Sequence, residues 1–265
     1  MRCLRMVARS QASSSGWGVS PMIKPTDGPS KRDFPSKSMA TTRWSLVLGA
    51  ELPGAVTSSI DVPMLCSRSM FPAYVWMRCR GLDPVRSHQA ADGFLRDLAR
   101  TAANETSQKA PRNFHPFLAD ALAHSRHMTG LTAVYHAEKG TTAMEARFVG
   151  EVPADLSALD AFDCAYAGEL IRRAHGRLTE EATQTRRERL FSSLDPYLAK
   201  EPSHATLEQL AFVHGMRPLL ISLALERLRQ RFRELVDTEI AETVVDADEL
   251  AVERHALLMI LSRRH

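Results

Sequence analysis

The residues best suited to chemistry in this sequence are four closely spaced arginines. Arg227, Arg229, Arg231 and Arg233 occupy every second position of a short run in which Glu226 is the only acidic residue. Guanidinium groups bind phosphates through paired N–H donors, and each neutralised phosphate releases counterions from a nucleic acid. The run therefore predicts a helix face that binds DNA. The alternative is a solvated helix face with ordinary charge pairs four residues apart.

A tight turn between two helical patterns precedes these arginines. Thr206 and Gln209 fit a capping box that begins the first helix. Gly215 lies where the chain needs a residue tolerant of positive φ, and Met216 follows it to fill the angle between the helices. Pro218 suits the first turn of the second helix, because its missing N–H would have no partner there. The spacing predicts a helix-turn-helix.

The second helix also carries an apolar stripe. A four-residue repeat, with two further apolar residues beside it, predicts the buried face of the helix and leaves the arginines on the outside. The predicted stripe consists of Leu220, Ala224, Leu228 and Phe232, flanked by Ile221 and Leu225.

Sequence patterns for catalysis and metal binding are weaker than the pattern for a DNA-binding helix pair. His124 and His127 lie about one helical turn apart, with His115 and His136 nearby, but no cysteine or acid completes a zinc site at a familiar spacing. Phosphate-loop, dinucleotide-binding, serine-hydrolase and zinc-protease motifs are lacking. We therefore predict a protein that is not an enzyme and that uses no metal and no cofactor.

Composition and charge favour a cytoplasmic protein. The chain of 265 residues is 44% hydrophobic and has a formal net charge of +3, which permits a polyanionic partner without requiring one. No apolar run approaches the roughly 18 residues that a membrane span needs. The four cysteines form no C-x-x-C pair, so we expect free thiols in a reducing compartment.

Amphipathic periods along the chain predict an all-α fold, in which two small helical domains are joined by a flexible linker. The first 38 residues are rich in Ser, Pro, Gly and basic side chains and offer too little apolar surface to fold; the alternative is that translation starts at Met39. The predicted parts are a disordered basic tail at 1–40, a helical domain at 41–128, a linker at 129–157, a helix-turn-helix domain at 158–245 and a C-terminal helical tail at 246–265.

Five motifs follow one another along the chain, and their order and spacing are more informative than any one of them. They are TTRWSLV, PAYVWMRCRG, NFHPFLADALAHS, EARFVGEVPADLSALDAF and the long run from ATLEQLAFVHG to EIAETV. Together they resemble sigma factors of the extracytoplasmic-function type, in the branch abundant in planctomycetes and related bacteria. The resemblance covers residues 41 to 262. It implies that the first domain binds core RNA polymerase and captures the melted promoter strand, and that the second places a recognition helix in the major groove of promoter DNA.

The resemblance also implies roles for individual residues. The recognition helix begins at Arg217 or Pro218, and an anti-sigma factor is a further candidate partner; no membrane partner is implied. The residues placed to meet DNA are Arg217, Ser222, Glu226, Arg227, Arg229, Gln230, Arg231 and Arg233. The residues placed to bind polymerase are Gln89, Asp92, Phe94 and Leu95.

Departures from the family pattern leave two alternatives open. The segment VRSHQAADGFL keeps only Asp92 of the acids typical of the polymerase-binding helix, which suits a stand-alone helix-turn-helix regulator that does not use polymerase. Ser222 and Glu226 stand where the family has Lys and His, and these changes weaken attraction to phosphate. Leu219 and Leu223, if exposed, suit a sigma-like protein-interaction module without DNA binding.

Overall fold

The computed structural model describes residues 60–104, 111–125 and 139–262, and these residues are mostly helical. The predicted all-α fold is confirmed for this part of the chain. No β-strand occurs within these ranges, although Asn113 and Val244 form an isolated antiparallel bridge. The predicted basic tail at 1–40 and the TTRWSLV motif lie outside the described residues.

The described residues form ten α-helices. They are α1 (Val62–Arg68), α2 (Met70–Cys79), α3 (Pro84–Asn104), α4 (Phe114–Ala123), α5 (Lys139–Glu151), α6 (Ala158–Gln184), α7 (Glu188–Leu194), α8 (His204–His214), α9 (Pro218–Ala241) and α10 (Ala247–Ser262). A turn of 3-10 helix at Asp195–Tyr197 extends α7. None of these helices combines the length and apolar character that crossing a membrane requires.

Helix α6 is the central element and packs against α2 and α9. Ser157 caps its N-terminus by accepting a hydrogen bond from the backbone N–H of Asp160 at 3.1 Å. Small residues alternate with large apolar ones on its buried faces, which lets neighbouring helices approach closely. These buried residues include Ala161, Phe162, Ala165, Tyr166, Leu170, Ala174 and Leu178.

One hydrophobic core extends from Ile60 in front of α1 to Leu261 in α10. Tyr74 and Phe114, from the first predicted domain, belong to the same cluster as Phe232 from the second. All three side chains are almost fully buried. Helices on both sides of the predicted linker therefore contribute to a single packed interior.

Ion pairs link α6 to α9 at the edge of this core. Arg173 and Arg177 both reach the almost fully buried carboxylate of Glu239, with Nε–O distances of 2.7 and 2.9 Å. Arg177 also contacts Glu242, which in turn pairs with Arg68 of α1. A buried carboxylate without such partners would be strongly destabilising, so these pairs fix the position of α9 against α6.

Part of the predicted flexible linker is helical, and the linker prediction is wrong for Lys139–Glu151. Contacts with α2 and α6 hold this helix, α5. Glu145 accepts hydrogen bonds from the Tyr74 hydroxyl at 2.5 Å and from Arg78 Nε at 2.9 Å. The Arg147 guanidinium lies 3.6 Å from the centre of the Phe71 ring. Polar and cation–π contacts position α5, so its sequence shows no clear apolar period.

Candidate nucleic-acid interface

Helices α8 and α9 pack against each other on either side of a tight turn, and α8 begins earlier than expected. Ser203 is its N-cap and accepts a hydrogen bond from the backbone N–H of Thr206 at 3.2 Å. The predicted capping box at Thr206 and Gln209 is therefore wrong. Thr206 occupies the third position of the helix, because Ser203 offers the same side-chain oxygen one turn earlier.

The turn between α8 and α9 has the predicted conformation. Gly215 adopts φ 61° and ψ 32°, and the backbone N–H of Met216 donates to the carbonyl oxygen of Ala211 at 2.9 Å. This left-handed residue ends α8 and satisfies one of its last carbonyl groups. Arg217 is extended, and Pro218 starts α9 as its first residue.

Five of the six residues predicted for the buried stripe of α9 are buried or packed on the core, and Leu220 is the exception. Ile221 and Leu225, rather than Leu220, contact α8, and the same face continues to Phe232. Leu220 is 46% exposed. The pattern fits either register because Leu220 and Ile221 both start a four-residue repeat. This packing matters because it places Arg229 between Leu225 and Phe232, on the inner face.

Arg229 is buried and makes structural hydrogen bonds, so the prediction that it contacts DNA is wrong. Only 2% of its surface is exposed. Its guanidinium donates to the carbonyl oxygens of Tyr197 and Lys200, and it pairs with Glu201 and Glu226 at 2.8 Å each. No donor on this side chain remains for a phosphate.

Arg231 and Arg233 differ in how far they reach solvent. Arg231 is exposed, but it pairs with Glu181 of α6 at 2.6 Å and with Glu234 at 2.9 Å. Hydrogen bonds with these two carboxylates raise its pKa above the ordinary value. Arg233 is half-buried and donates to the side-chain oxygen of Gln230 at 2.9 Å. Arg231 is therefore neutralised by two carboxylates, whereas Arg233 lacks an acidic partner among the described residues but is only partly open to solvent.

Two predicted DNA contacts remain exposed cations. Arg217 and Arg227 are exposed, and within the described chain their side chains form no ion pair. Ser222 is half-buried, and its hydroxyl donates to the backbone oxygen of Pro218 at 3.3 Å. Glu226 is exposed and pairs with Arg229. The exposed positive charge therefore lies at the start of α9 and at its third turn.

The end of α8 and the start of α9 carry several exposed apolar side chains around the turn. We call them the apolar tip; they are Phe212, Val213, Leu219, Leu220 and Leu223, with exposures of 89%, 48%, 69%, 46% and 47%. Single exposed hydrophobic residues are common, whereas five of them on two adjoining helix ends form a candidate interaction surface.

The predicted polymerase-binding residues divide between the core and the surface. Phe94 and Leu95 are buried where α3 packs on α1 and α2, so the prediction that they contact polymerase directly is wrong. Asp92 is partly exposed and pairs with Arg96 on the same helix. Gln89 is half-buried and its amide nitrogen lacks a hydrogen-bond partner. An apolar pair in an amphipathic helix faces the core, which the motif alone did not reveal.

The histidines weighed as metal ligands have other partners. His115 is buried, with Asp163 and Glu253 at 3.0 and 3.1 Å from its two ring nitrogens. His124, directly after α4, contacts Asp120 of that helix. His127 and His136 lie outside the described residues. In the described part of the chain, no group of histidine, cysteine and acidic side chains is arranged to hold a metal ion.

Comparison with known proteins adds no family assignment. No family model, no curated protein and no solved structure matches the chain. The resemblance to sigma factors therefore rests on the order and spacing of the five motifs alone. The exposed residues of α8 and α9 are the structural basis for proposing a function.

Proposed function

We propose that this chain is a sigma-factor-like transcription initiation protein that binds promoter DNA through the start of α9. One observation carries the proposal: Arg217 and Arg227 are exposed on a helix whose inner face is fixed against α8. A helix held in this way can enter the major groove while its partner helix lies across the backbone.

The start of α9 is suited to a phosphate group. Arg217 occupies the N-cap position, and Pro218 begins the helix without a donor. The other N–H groups of the first turn carry the partial positive charge of the helix dipole, which favours an anion near them. Arg217 adds a full charge at the same end. Leu219 and Leu223 then lie on the outer face, where apolar side chains contact thymine methyl groups.

The polymerase part of the proposal has a different basis. Phe94 and Leu95 are buried and cannot contact polymerase, so this part of the proposal is based on the resemblance. The exposed side of α3 carries Asp92, Arg96 and Asp97 instead, and these charged side chains are the candidates for a polymerase contact.

Binding and transcription assays with the full chain test this proposal. The chain should retain core RNA polymerase in a pull-down and should support run-off transcription from its own upstream region. The R217A/R227A double variant should retain polymerase but lose transcription. R189A removes an exposed arginine of α7 that belongs to neither proposed surface, and it should leave both polymerase retention and transcription unchanged. Failure of the wild-type chain in both assays would defeat the proposal. DNA binding without polymerase retention would instead select the stand-alone regulator.

The apolar tip favours a second candidate, a protein-interaction module that binds an anti-sigma partner. Phe212 and Leu219 are the most exposed of its side chains, and neither can bond to a phosphate. Tight binding to an anti-sigma domain, with no DNA shift even at low salt, would select this candidate. The L219D/L223D variant should then lose the partner while its helix content stays unchanged.

A further inference from the structure

A cavity of about 270 Å³ opens between the end of α6, helix α7 and the middle of α9. Its floor is apolar and includes the buried side chains of Leu178, Phe191 and Leu194, with the half-buried Leu228 beside them. A floor of this kind offers water no hydrogen-bond partner. The volume lies just below the lower end of the range usual for small-molecule sites.

The mouth of the cavity is positively charged. Arg187, Arg227 and Arg231 line it, and Glu181 is the acidic residue among the lining side chains. Arg231 and Glu181 pair with each other at 2.6 Å, so their charges offset one another. Arg187 and Arg227 are exposed, and neither side chain forms an ion pair with the described residues. Two guanidinium groups therefore border an apolar cavity without an internal counter-charge.

We propose that this cavity binds a small amphipathic carboxylate, with the chemistry of a medium-chain fatty acid. The carboxylate pairs with Arg187 and Arg227, because guanidinium groups bind carboxylates through paired hydrogen bonds. The hydrocarbon chain packs on Phe191 and Leu228. A DNA phosphate could pair with Arg187 and Arg227, but the apolar floor carries no hydrogen-bond donor for a sugar or phosphate oxygen.

Ligand binding at this cavity would compete with DNA. Arg227 belongs both to the cavity mouth and to the DNA-binding surface proposed above. A carboxylate bound there neutralises Arg227 and removes one phosphate contact. The competition rests on the proposed function, whereas the ligand site itself does not.

Isothermal titration of the full-length chain with octanoate tests the site directly. Octanoate should bind at one saturable site, while acetate, which lacks the chain, and 1-octanol, which lacks the charge, should bind much more weakly. The R187A/R227A variant should lose about tenfold in octanoate affinity. R189A removes an exposed arginine of the same helix that does not line the cavity, and it should bind like the wild type. The A224L variant fills part of the cavity and should also weaken binding.

Two results would overturn the proposal: no octanoate binding by the folded wild-type chain, or equal affinities for the wild type and R187A/R227A. Circular dichroism confirms that each variant is folded. The titration contains no DNA, so octanoate binding supports the site even if the chain fails to bind DNA. Where DNA does bind, octanoate should displace it from the wild type.

Discussion

The guanidinium of Arg229 in α9 donates two hydrogen bonds to the backbone oxygen of Tyr197, at 3.0 and 3.2 Å. Tyr197 ends the 3-10 turn after α7, and the chain then runs through Lys200 and Glu201 toward α8. One buried side chain thus holds the segment that connects α7 to α8 against α9. The orientation of the helix pair depends on an arginine that, from sequence, resembles its DNA-binding neighbours.

Replacing Arg229 with alanine should therefore lower stability rather than affect DNA binding alone. The variant removes the guanidinium hydrogen bonds to the carbonyl oxygens of Tyr197 and Lys200, and we expect a loss of about 3 kcal/mol in the free energy of unfolding. Urea denaturation followed by circular dichroism measures this loss. R227A, two residues earlier and exposed, should change stability by less than about 0.5 kcal/mol. Equal effects of the two substitutions would contradict the structural role of Arg229.

Two glycines provide a second prediction, because alanine should have opposite effects at them. Gly215 has φ 61°, and an added Cβ there meets no atom within 4 Å. G215A should destabilise the fold by about 1 kcal/mol through backbone strain alone, and G215N by less. Gly176 lies inside α6, also in open space, so G176A should stabilise by about 0.5–1 kcal/mol.

The measurement is the urea midpoint of each glycine variant. A stabilising G215A would show that the turn does not require a left-handed residue. A destabilising G176A would contradict the open space around Gly176 inside α6.

The buried His115 makes stability depend on pH. Burial opposes its charged form, but hydrogen bonds with Asp163 and Glu253 outweigh that effect and raise its pKa to about 9. Tyr166 stacks on the imidazole with ring centres 4.4 Å apart, and burial raises the pKa of the Tyr166 hydroxyl well above its ordinary value. The imidazole is thus positively charged in the folded protein at neutral pH, between two carboxylates.

The sign of the pH effect follows from the direction of this shift. A raised pKa means that the folded state holds the proton more tightly than the unfolded state, so the stabilisation is complete below pH 6.5. It is lost as the pH rises through about 9. The shift corresponds to a loss on the order of 3 kcal/mol.

Urea denaturation at several pH values between 6 and 10 measures the loss. H115Q should remove most of the decline between pH 6 and 9; above that, the unfolded thiols of Cys66 and Cys79 ionise while burial keeps the pKa of both raised in the folded protein. H124Q alters an exposed histidine just after the same helix and should leave the decline intact. A wild-type stability that stays constant from pH 6 to 10 would contradict a charged His115.

The sequence predicted features that depend on single residues better than features that depend on packing between helices. Gly215 and Pro218 fixed the turn and the start of α9, because both residues restrict the backbone by themselves. The predicted stripe of α9 contained both Leu220 and Ile221, and the sequence could not show which of the two meets α8. Only the packing of Ile221 and Leu225 decides that, and with it the burial of Arg229.

Two further parts of the structure depend on partners distant in sequence. Glu145 holds α5 in place by accepting hydrogen bonds from Tyr74 and Arg78, about seventy residues earlier. A contact between residues so far apart leaves no local pattern in the sequence. The cavity mouth combines Arg187 with Arg227 from two helices that the sequence does not relate to each other. A motif identifies residue types, whereas exposure and pairing follow from the complete fold.

The salt dependence of DNA binding tests the central claim most directly. Fluorescence anisotropy of a labelled promoter duplex, at a series of salt concentrations, gives the slope of log affinity against log salt. The wild-type chain should bind at low salt with a negative slope, and R217A/R227A should flatten that slope by about two, one for each lost phosphate contact. Identical slopes for the two proteins, or no binding by the folded wild-type chain at low salt, would contradict DNA recognition by α9.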